Sequence, residues 1–244
     1  MKTLIEPDWP APANVRAFST TRLGGVSTSP YDSLNLATHV GDDPRQVAEN
    51  RYCLQQQLAL PSAPAWLNQV HGIDIQPLSE PLSAPVDADG SISDQQGLVC
   101  AVMTADCLPL LLCDRAGRRV AAIHAGWRGL CCGIIEKSIQ QMAVPAEQLL
   151  VWLGPAIGAT AFQVGAEVRD AFIAHDASAS QAFVQQDQQH WLADLYQLAR
   201  QRLLSQGVDA IYGGDYCTFQ QRELFFSYRR EGVTGRMASL IWLQ

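Results

Sequence analysis

Short apolar runs of strand length dominate the middle of the chain. They cover residues 98–103, 108–112, 119–124 and 149–153, and continuous apolar runs of this length are typical of buried strands. The second and third runs flank the sequence Asp-Arg-Ala-Gly at residues 114–117, which is typical of a hairpin turn. The pattern therefore predicts a sheet that contains an antiparallel hairpin.

Helical patterns lie on both sides of these runs. They predict helices over residues 45–60, after the start signal Asp43-Pro44, and over 130–142, 166–174 and 191–205. Residues 77–85 are rich in proline and serine, and we expect them to form a surface excursion within one domain. The predicted fold class is mixed α/β, and the hairpin signals give it an α+β tendency. We expect a single domain over residues 1–244.

Composition narrows the range of partners. The chain has 244 residues, of which 48% are hydrophobic, enough for a sizeable core. Its 17 Lys and Arg against 24 Asp and Glu give a formal net charge of −7. Nucleic-acid binding needs clustered cations, so this balance argues against it, although one or two arginines can still hold a small anion.

Targeting signals and paired cysteines are both lacking. The longest strongly apolar run, residues 107–113, is far shorter than the roughly 20 residues of a membrane span. Residues 1–10 do not resemble a signal peptide, and the seven cysteines form no Cys-x-x-Cys pair. We therefore expect a cytoplasmic protein that binds neither membrane nor nucleic acid; the oligomeric state stays open.

Three polar loops at the ends of predicted strands each contribute one metal-ligand side chain. These side chains are His71, Cys107 and His124. Two imidazoles and a thiolate suit Zn²⁺, and three protein ligands leave a fourth position open, as in catalytic zinc sites. Hydrogen-bonded histidines and an inert buried thiol explain the same residues equally well on spacing alone.

Copper is the competing metal. Two histidines and a cysteine also hold type 1 copper when a weak axial ligand is present, and Met103 lies near Cys107 in sequence. A laccase-type oxidase needs many more histidines, characteristically as His-x-His pairs. The chain has five histidines and no such pair, so it has too few histidine ligands for a multicopper oxidase.

Candidate anion-binding residues flank these loops. Residues 20–27 combine adjacent glycines, hydroxyls and Arg22, a set suited to phosphate or carboxylate, although a plain turn after a strand explains it equally well. Arg128 follows the His124 loop, with a stacked or structural role as the alternative. The glycine-rich residues 154–158 follow the run at 149–153 and predict a tight turn that substrate can approach, although a simple loop explains them equally well.

Taken together, these segments resemble the bacterial YfiH-like proteins, long labelled polyphenol oxidase or laccase-domain proteins. Seven ungapped motifs in the same order carry the resemblance over nearly the whole chain, and no ligand position departs from it. They lie at residues 21–27, 34–42, 68–72, 87–90, 104–109, 124–129 and 154–158.

The resemblance implies a fold, a metal and an activity. The fold is a single YfiH-like domain of the cysteine-hydrolase-like type, and the metal is zinc on His71, Cys107 and His124. The activity is that of a zinc-dependent purine nucleoside enzyme. It phosphorolyses adenosine, inosine and 5′-methylthioadenosine to the base and a ribose 1-phosphate, and it deaminates adenosine to inosine. An amide hydrolase that edits peptidoglycan precursors is the alternative, and a copper-dependent polyphenol oxidase is a weaker one.

Roles for the remaining candidates follow from this chemistry. Asp106 is the first candidate to transfer protons for a metal-activated water or, alternatively, to orient an imidazole. Arg22 and Arg128 are candidates for phosphate, and Asn35 is a candidate for substrate binding. A different hypothesis makes Cys107 a nucleophile activated by a neighbouring His, with the metal incidental. A metal-binding module without activity is the non-enzymatic alternative.

Overall fold

A computed structural model describes residues 3–244 of the chain. Its strands are β1 (Leu4–Ile5), β2 (Val15–Thr20), β3 (Ile75–Leu78), β4 (Gly90–Ser93), β5 (Val99–Thr104), β6 (Leu108–Asp114), β7 (Val120–Ala125), β8 (Leu149–Leu153), β9 (Gln163–Gly165), β10 (Phe183–Gln185), β11 (His190–Ala193), β12 (Ile211–Gly213) and β13 (Met237–Leu243). Its α-helices are α1 (Pro44–Leu58), α2 (Trp127–Cys132), α3 (Ile134–Met142), α4 (Ala166–His175), α5 (Leu195–Ser205) and α6 (Tyr228–Glu231). Short 3₁₀ turns cover Ala146–Gln148 and Ala177–Ala182.

A six-stranded sheet in the order β12-β8-β6-β7-β4-β3 is the central layer. The hairpin predicted at residues 114–117 joins β6 to β7, which pair antiparallel. Alternate residues of β6 enter different cores: Leu110 and Leu112 pack with the helices that follow β7, whereas Leu111 and Cys113 face a second sheet. Because both faces are covered, the strands are apolar at successive positions instead of alternating with polar ones.

The second sheet contains four strands in the order β1-β2-β13-β5. One face of it packs on the central sheet through residues such as Val102 and Ile241. Its other face is covered by α1, where Leu54 joins a core with Phe18 and Trp242. The rings of Phe18 and Trp242 stack with centroids 5.9 Å apart. The resulting layers are helix, sheet, sheet and helices, and a small third sheet in the order β10-β11-β9 lies beside α4.

Several predicted elements are confirmed within one or two residues, and two helices differ. The single helix predicted over 130–142 is in fact two helices, α2 from Trp127 and α3 from Ile134. Gly133 separates them, because it takes a left-handed conformation with φ of 97°. The helix predicted over 191–205 begins only at Leu195. Asp194 caps it by accepting a hydrogen bond from the Gln197 N–H, and the residues before the cap belong to β11.

The predicted mixed α/β class is confirmed, with several sheets instead of one. Within residues 77–85, Pro77 and Leu78 belong to β3, which pairs parallel with β4 at the sheet edge, and the rest lie outside the strands. Among residues 3–244, no helix is both long and apolar enough to span a bilayer.

A buried amide links α1 to the turn that follows β2. The side chain of Asn50 is fully buried; it accepts a hydrogen bond from the Val26 N–H at 2.7 Å and donates to Ser27 Oγ and to the carbonyl of Asn35, each at 2.8 Å. A buried donor or acceptor left without its partner costs about 1–3 kcal/mol.

We expect Asn50→Ala to lower the free energy of unfolding by about 2–4 kcal/mol, because the substitution leaves several of these buried groups unpaired. Urea unfolding followed by circular dichroism measures this change. Gln56→Ala, on the exposed side of the same helix, is the matched control and should change the free energy by less than about 0.5 kcal/mol. Equal effects of the two substitutions would refute the account of Asn50.

Candidate metal and substrate site

His71, Cys107 and His124 come from three separate segments that meet at one end of the central sheet. Cys107 lies in the short connection between β5 and β6, so it joins the two sheets, and His124 is the penultimate residue of β7. His71 lies in the loop before β3. Their ligand atoms all lie within 4.8 Å of one another, and Cys107 Sγ is 3.9 Å from Nε2 of His71.

Asp89 organises two of the three residues. It precedes β4, whose antiparallel register with β7 pairs Gly90 with Ile123 and so places Asp89 beside His124. Its Oδ1 is 2.8 Å from Nδ1 of His124. The same carboxylate accepts backbone N–H bonds from Val70, His71 and Gly72 at 3.2, 3.0 and 2.6 Å.

This network determines the tautomer of His124. The Asp89 carboxylate is fully buried, and although burial alone opposes ionisation, its hydrogen bonds from His124 and the loop lower its pKa. An ionised carboxylate can only accept, so it holds the imidazole proton on Nδ1 of His124. When a metal binds, the proton that His124 loses is therefore the one on Nε2, and the Nε2 lone pair faces the cluster, the arrangement common in histidines that bind metals.

The charges of Cys107 and His124 are strongly coupled. Burial disfavours the thiolate, but the attraction of His124 outweighs it and lowers the pKa of Cys107. Burial likewise disfavours the imidazolium, yet Cys107 and Asp89 raise the pKa of His124. Without a metal the pair is therefore an ion pair at neutral pH, and the thiolate needed for metal binding is already formed.

The backbone around the cluster leaves room for an ion. Tetrahedral zinc, with bonds of about 2.0–2.3 Å, holds its nitrogen and sulfur ligands about 3.5 Å apart, and Cys107 Sγ and His71 Nε2, 3.9 Å apart, would need to move only slightly to reach that distance. A Cβ at Gly126 would lie 2.8 Å from Cδ2 of His71 and 3.2 Å from Sγ of Cys107, so any side chain there would crowd the ligands. The donor set and the space therefore fit a transition-metal ion such as Zn²⁺.

A cavity of about 390 Å³ opens over the cluster. Pockets for small organic ligands begin at roughly 300 Å³, so a nucleoside-sized molecule fits. Besides the three ligand residues, its lining consists of His39, Gln69, Met103, Thr104, Ala105, Tyr228 and Arg236. A smaller, mainly apolar recess of about 130 Å³ shares Ala105, Cys107 and Tyr228 with it, and Trp127 and Phe162 line its far side.

Asp106 has a different position from the one expected of a proton carrier. Its buried carboxylate accepts hydrogen bonds from the hydroxyls of Thr218 and Ser227 and from the Arg229 N–H. None of the hydrogen bonds found in residues 3–244 joins it to an imidazole, so its position gives no support to the alternative that it orients one; Asp89 bonds His124 instead. Asp106 holds the segment that carries Tyr228 against the Cys107 loop.

Arg22 and Asn35 lie behind the cavity wall. The Arg22 guanidinium bonds Glu231 at 2.9 Å and the Asp32 carbonyl at 2.8 Å, and it stacks over Phe226. Asn35 is fully buried and its Oδ1 accepts the backbone N–H of Arg236. Neither residue lines the cavity within the described part of the chain, so their positions give no support to the substrate contacts predicted for them.

Arg128 is exposed on α2 and stacks over Trp127 at 4.5 Å, which matches the stacked alternative. Residues 154–158 support the site indirectly, because the Ile157 N–H bonds the carbonyl of Asp106. Asp89, Tyr228 and Arg236 also belong to the site, although the sequence patterns did not single them out. The motif at residues 87–90 contained a signal for Asp89, since an acidic residue precedes a strand there, whereas no local pattern marks the other two.

Comparisons with known proteins agree over the full length. Residues 16–244 match the family model described as multi-copper polyphenol oxidoreductase laccase. The chain is 58% identical to purine nucleoside phosphorylase YfiH of Escherichia coli K12, with 100% of both chains covered, and 55% identical to purine nucleoside phosphorylase PA4543 of Pseudomonas aeruginosa, again over 100% of both.

Solved structures show the same fold. The crystal structure of Neisseria meningitidis protein NMB0706 is similar with a TM-score of 0.97 at 53% identity, covering 100% of both chains. That of YlmD from Geobacillus stearothermophilus has a TM-score of 0.91 at 30% identity, covering 100% of this chain and 97% of the other. The expected cysteine-hydrolase-like classification is not tested by these likenesses.

Removing the charge of Asp89 should weaken metal binding. We expect Asp89→Asn to raise the Kd for Zn²⁺ by about 10- to 100-fold, because the imidazole loses the partner that orients it. Competition with a chelator of known affinity measures the Kd. Asp87→Asn makes the same chemical change two residues away at an exposed position and should leave the Kd within about twofold. Identical Kd values for Asp89→Asn and the parent chain would contradict this role.

The lowered pKa of Cys107 predicts unusual reactivity in metal-free protein. An ordinary thiol, with a pKa near 8.5, loses most of its thiolate between pH 8.5 and 7, and its alkylation slows about 15-fold. The alkylation rate of Cys107 should fall less than about threefold over this range. It should decline further only at lower pH, where the thiolate takes up a proton. Iodoacetamide labelling with peptide mass spectrometry checks this against N-acetylcysteine. A parallel decline in both rates would show that the thiol is ordinary.

Proposed function

Since this chain belongs to the YfiH-like family, whose model is described as multi-copper polyphenol oxidoreductase laccase, we propose from its site that it is a zinc-dependent purine nucleoside phosphorylase. Its substrates are adenosine, inosine and 5′-methylthioadenosine, and its products are the free base and the ribose 1-phosphate. The observation that carries the proposal is the His71, Cys107 and His124 cluster under a cavity large enough for a nucleoside.

The three clustered residues would hold the metal. Zinc bound there supplies a Lewis acid and lowers the pKa of a bound water molecule. Cys107 enters as a thiolate, because His124 already stabilises its charge. Asp89 keeps the imidazole of His124 and the loop that carries His71 in place, so the ligand geometry is formed before substrate binds.

Phosphorolysis requires that a phosphate oxygen bond to C1′ of the ribose while the glycosidic C1′–N9 bond breaks. The electron pair of that bond leaves with the purine, which takes up a proton. The cavity lining includes the guanidinium of Arg236 as a polar group for the phosphate or the ribose, and the aromatic side chain of Tyr228 lines both the cavity and the apolar recess. One cavity would in this way orient both reactants.

Deamination of adenosine to inosine is a second reaction that we propose for the same cavity. Water adds at C6 of the purine and ammonia leaves, which a metal that activates water promotes. We assign Asp106 a positioning role in this chemistry, because its carboxylate is occupied by three donors. The cytoplasm, where nucleosides and phosphate occur together, is the proposed location.

Oxidase activity does not follow from the family description. The chain contains five histidines in all, and within residues 3–244 the one grouping of three or more metal-ligand side chains is His71, Cys107 and His124. A single site of this kind lacks the ligands for a multi-copper centre. We therefore propose zinc, with copper as the metal to test against it.

One observation favours a second candidate, a Cys-His amide hydrolase acting on peptidoglycan precursors. The lowered pKa of Cys107 and the two adjacent imidazoles are also what a cysteine nucleophile requires. In that reaction Cys107 attacks an amide carbonyl, the amine leaves with a proton from a histidine, and water then hydrolyses the thioester. This reaction needs no metal, and a metal on the thiolate would inhibit it.

The deciding experiment incubates zinc-loaded protein with adenosine, with and without phosphate, and separates the products by chromatography. We expect adenine and ribose 1-phosphate only when phosphate is present, and inosine in either case. Removal of zinc with a chelator should abolish both reactions, and added zinc should restore them. Restoration by copper but not by zinc would overturn the assignment of the metal.

His71→Ala should reduce turnover at least about 100-fold, because two ligands hold the metal poorly. His190→Ala, at an exposed histidine of β11 that pairs with Asp187, is the control and should keep full activity. If zinc-loaded protein forms no product, the nucleoside assignment fails. Amide hydrolysis by metal-free protein would establish the second candidate in its place.

A further inference from the structure

The cavity over the metal cluster contains a cation without an acidic partner. Arg236 lines this cavity and is partly buried. Its Nη1 donates to the carbonyls of Thr234 and Gly235 at 2.9 and 3.0 Å, and no carboxylate of residues 3–244 lies within 4.0 Å of its guanidinium nitrogens. By contrast, Arg22 and Arg202, which are also largely buried, pair with Glu231 and Glu136.

The backbone of Arg236 is held from both sides. Its N–H donates to Oδ1 of the fully buried Asn35 at 3.0 Å, and its carbonyl accepts the Leu36 N–H at 3.3 Å. The next residue begins β13, the strand in the middle of the second sheet. The guanidinium also lies 5.7 Å from the ring centre of Tyr228. A side chain anchored in this way is already ordered before a ligand binds, so little conformational entropy is lost on binding.

The guanidinium of Arg236 has no direct ion pair among residues 3–244; burial lowers its pKa, and attraction by Cys107 and Asp106 offsets only part of that effect. Besides the three metal-ligand residues and Tyr228, the titratable side chain that lines this cavity with Arg236 is His39, and burial together with the charges of Arg236 and Arg51 lowers its pKa. His39 is therefore neutral at physiological pH. A partly desolvated guanidinium without a carboxylate is costly, and an anionic ligand compensates that cost by bidentate hydrogen bonds.

We propose that Arg236 binds a phosphate oxyanion in the cavity over His71, Cys107 and His124, the role that the sequence suggested for Arg22 and Arg128. This inference rests on the proposed phosphorolysis, in which inorganic phosphate is the second substrate. Arg236 holds the phosphate while one of its oxygens bonds to C1′ and the base leaves with the electron pair of the C1′–N9 bond. The shared chemistry also fits the phosphate ester of a nucleotide, and the test separates the two sources.

Steady-state kinetics with varied phosphate is the first test. We expect Arg236→Gln to raise the KM for phosphate by about 10- to 100-fold, the range for the loss of charge-assisted hydrogen bonds, with the KM for inosine within about twofold. Arg236→Lys keeps the charge without the planar fork and should give a smaller rise. Arg222→Gln, at an exposed arginine, is the control and should match the parent chain. An unchanged KM for phosphate in Arg236→Gln would overturn the proposal.

Binding measured without turnover keeps this test independent of the proposed function. Equilibrium dialysis of zinc-loaded protein with radiolabelled inorganic phosphate should show binding that Arg236→Gln weakens by the same factor. If binding shows this loss while no nucleoside is cleaved, the phosphate site stands and the proposed function fails. Equal binding by both proteins overturns the site even if phosphorolysis occurs.

The source of the phosphate is decided by a second ligand. Adenosine 5′-monophosphate should bind no more tightly than adenosine if free phosphate is the ligand of Arg236. If the monophosphate binds at least about tenfold more tightly and Arg236→Gln removes the difference, the ligand is a phosphate ester, and the assignment to free phosphate is overturned. Zinc content and thermal unfolding of each variant show whether it is folded. If Arg236→Gln does not fold, Arg236→Lys decides: a raised KM for phosphate supports the proposal, and an unchanged KM overturns it.

Discussion

A sheet covered on both faces leaves its polar side chains room only at the ends of its strands, and this constraint shapes the whole site. The central strands β6, β7 and β8 are buried along their entire length, so nearly every position in them is apolar. Functional groups accumulate where these strands end and where the Cys107 connection crosses from one sheet to the other. His124 is the exception inside a strand, and Asp89 compensates the cost of burying it.

Two buried carboxylates support this site in different ways. Asp89 binds the imidazole of His124 and three backbone N–H groups, so it sets the positions of two ligands. Asp106, beside Cys107, ties down the segment that carries Tyr228 and Arg229. Asp106 accepts hydrogen bonds from hydroxyl and backbone N–H groups, and Asp89 accepts them from backbone N–H groups and the His124 ring. Neither carboxylate has to exchange a proton to hold these groups in place. Their role is preorganisation, which keeps ligands and cavity wall in place at no cost during the reaction.

The charge of the cavity contrasts with that of the whole chain. A protein with a net charge of −7 places an arginine without a carboxylate partner and a neutral histidine beside the His71, Cys107 and His124 cluster, where a divalent metal would outweigh the charge of the Cys107 thiolate. Such a local field attracts an anion that the remaining surface repels. A phosphate held beside a nucleoside is consistent with that field, and the apolar recess next to Cys107 supplies the complementary surface for a flat or hydrophobic group.

Apolar run length and turn signals predicted the α/β class and the hairpin at residues 114–117, because burial and chain reversal depend on local sequence. Spacing alone left the roles of His71, Cys107 and His124 open, and the family resemblance singled them out as a set. The break at Gly133 and the strand at residues 190–193 escaped this reasoning, since a left-handed residue and a partner strand override helical periodicity. Only the tertiary structure placed Asp89 against His124 through the β4–β7 register and brought Arg236 to Asn35, far away in sequence. Strand pairing and packing between distant segments decide such contacts, and no local pattern encodes them.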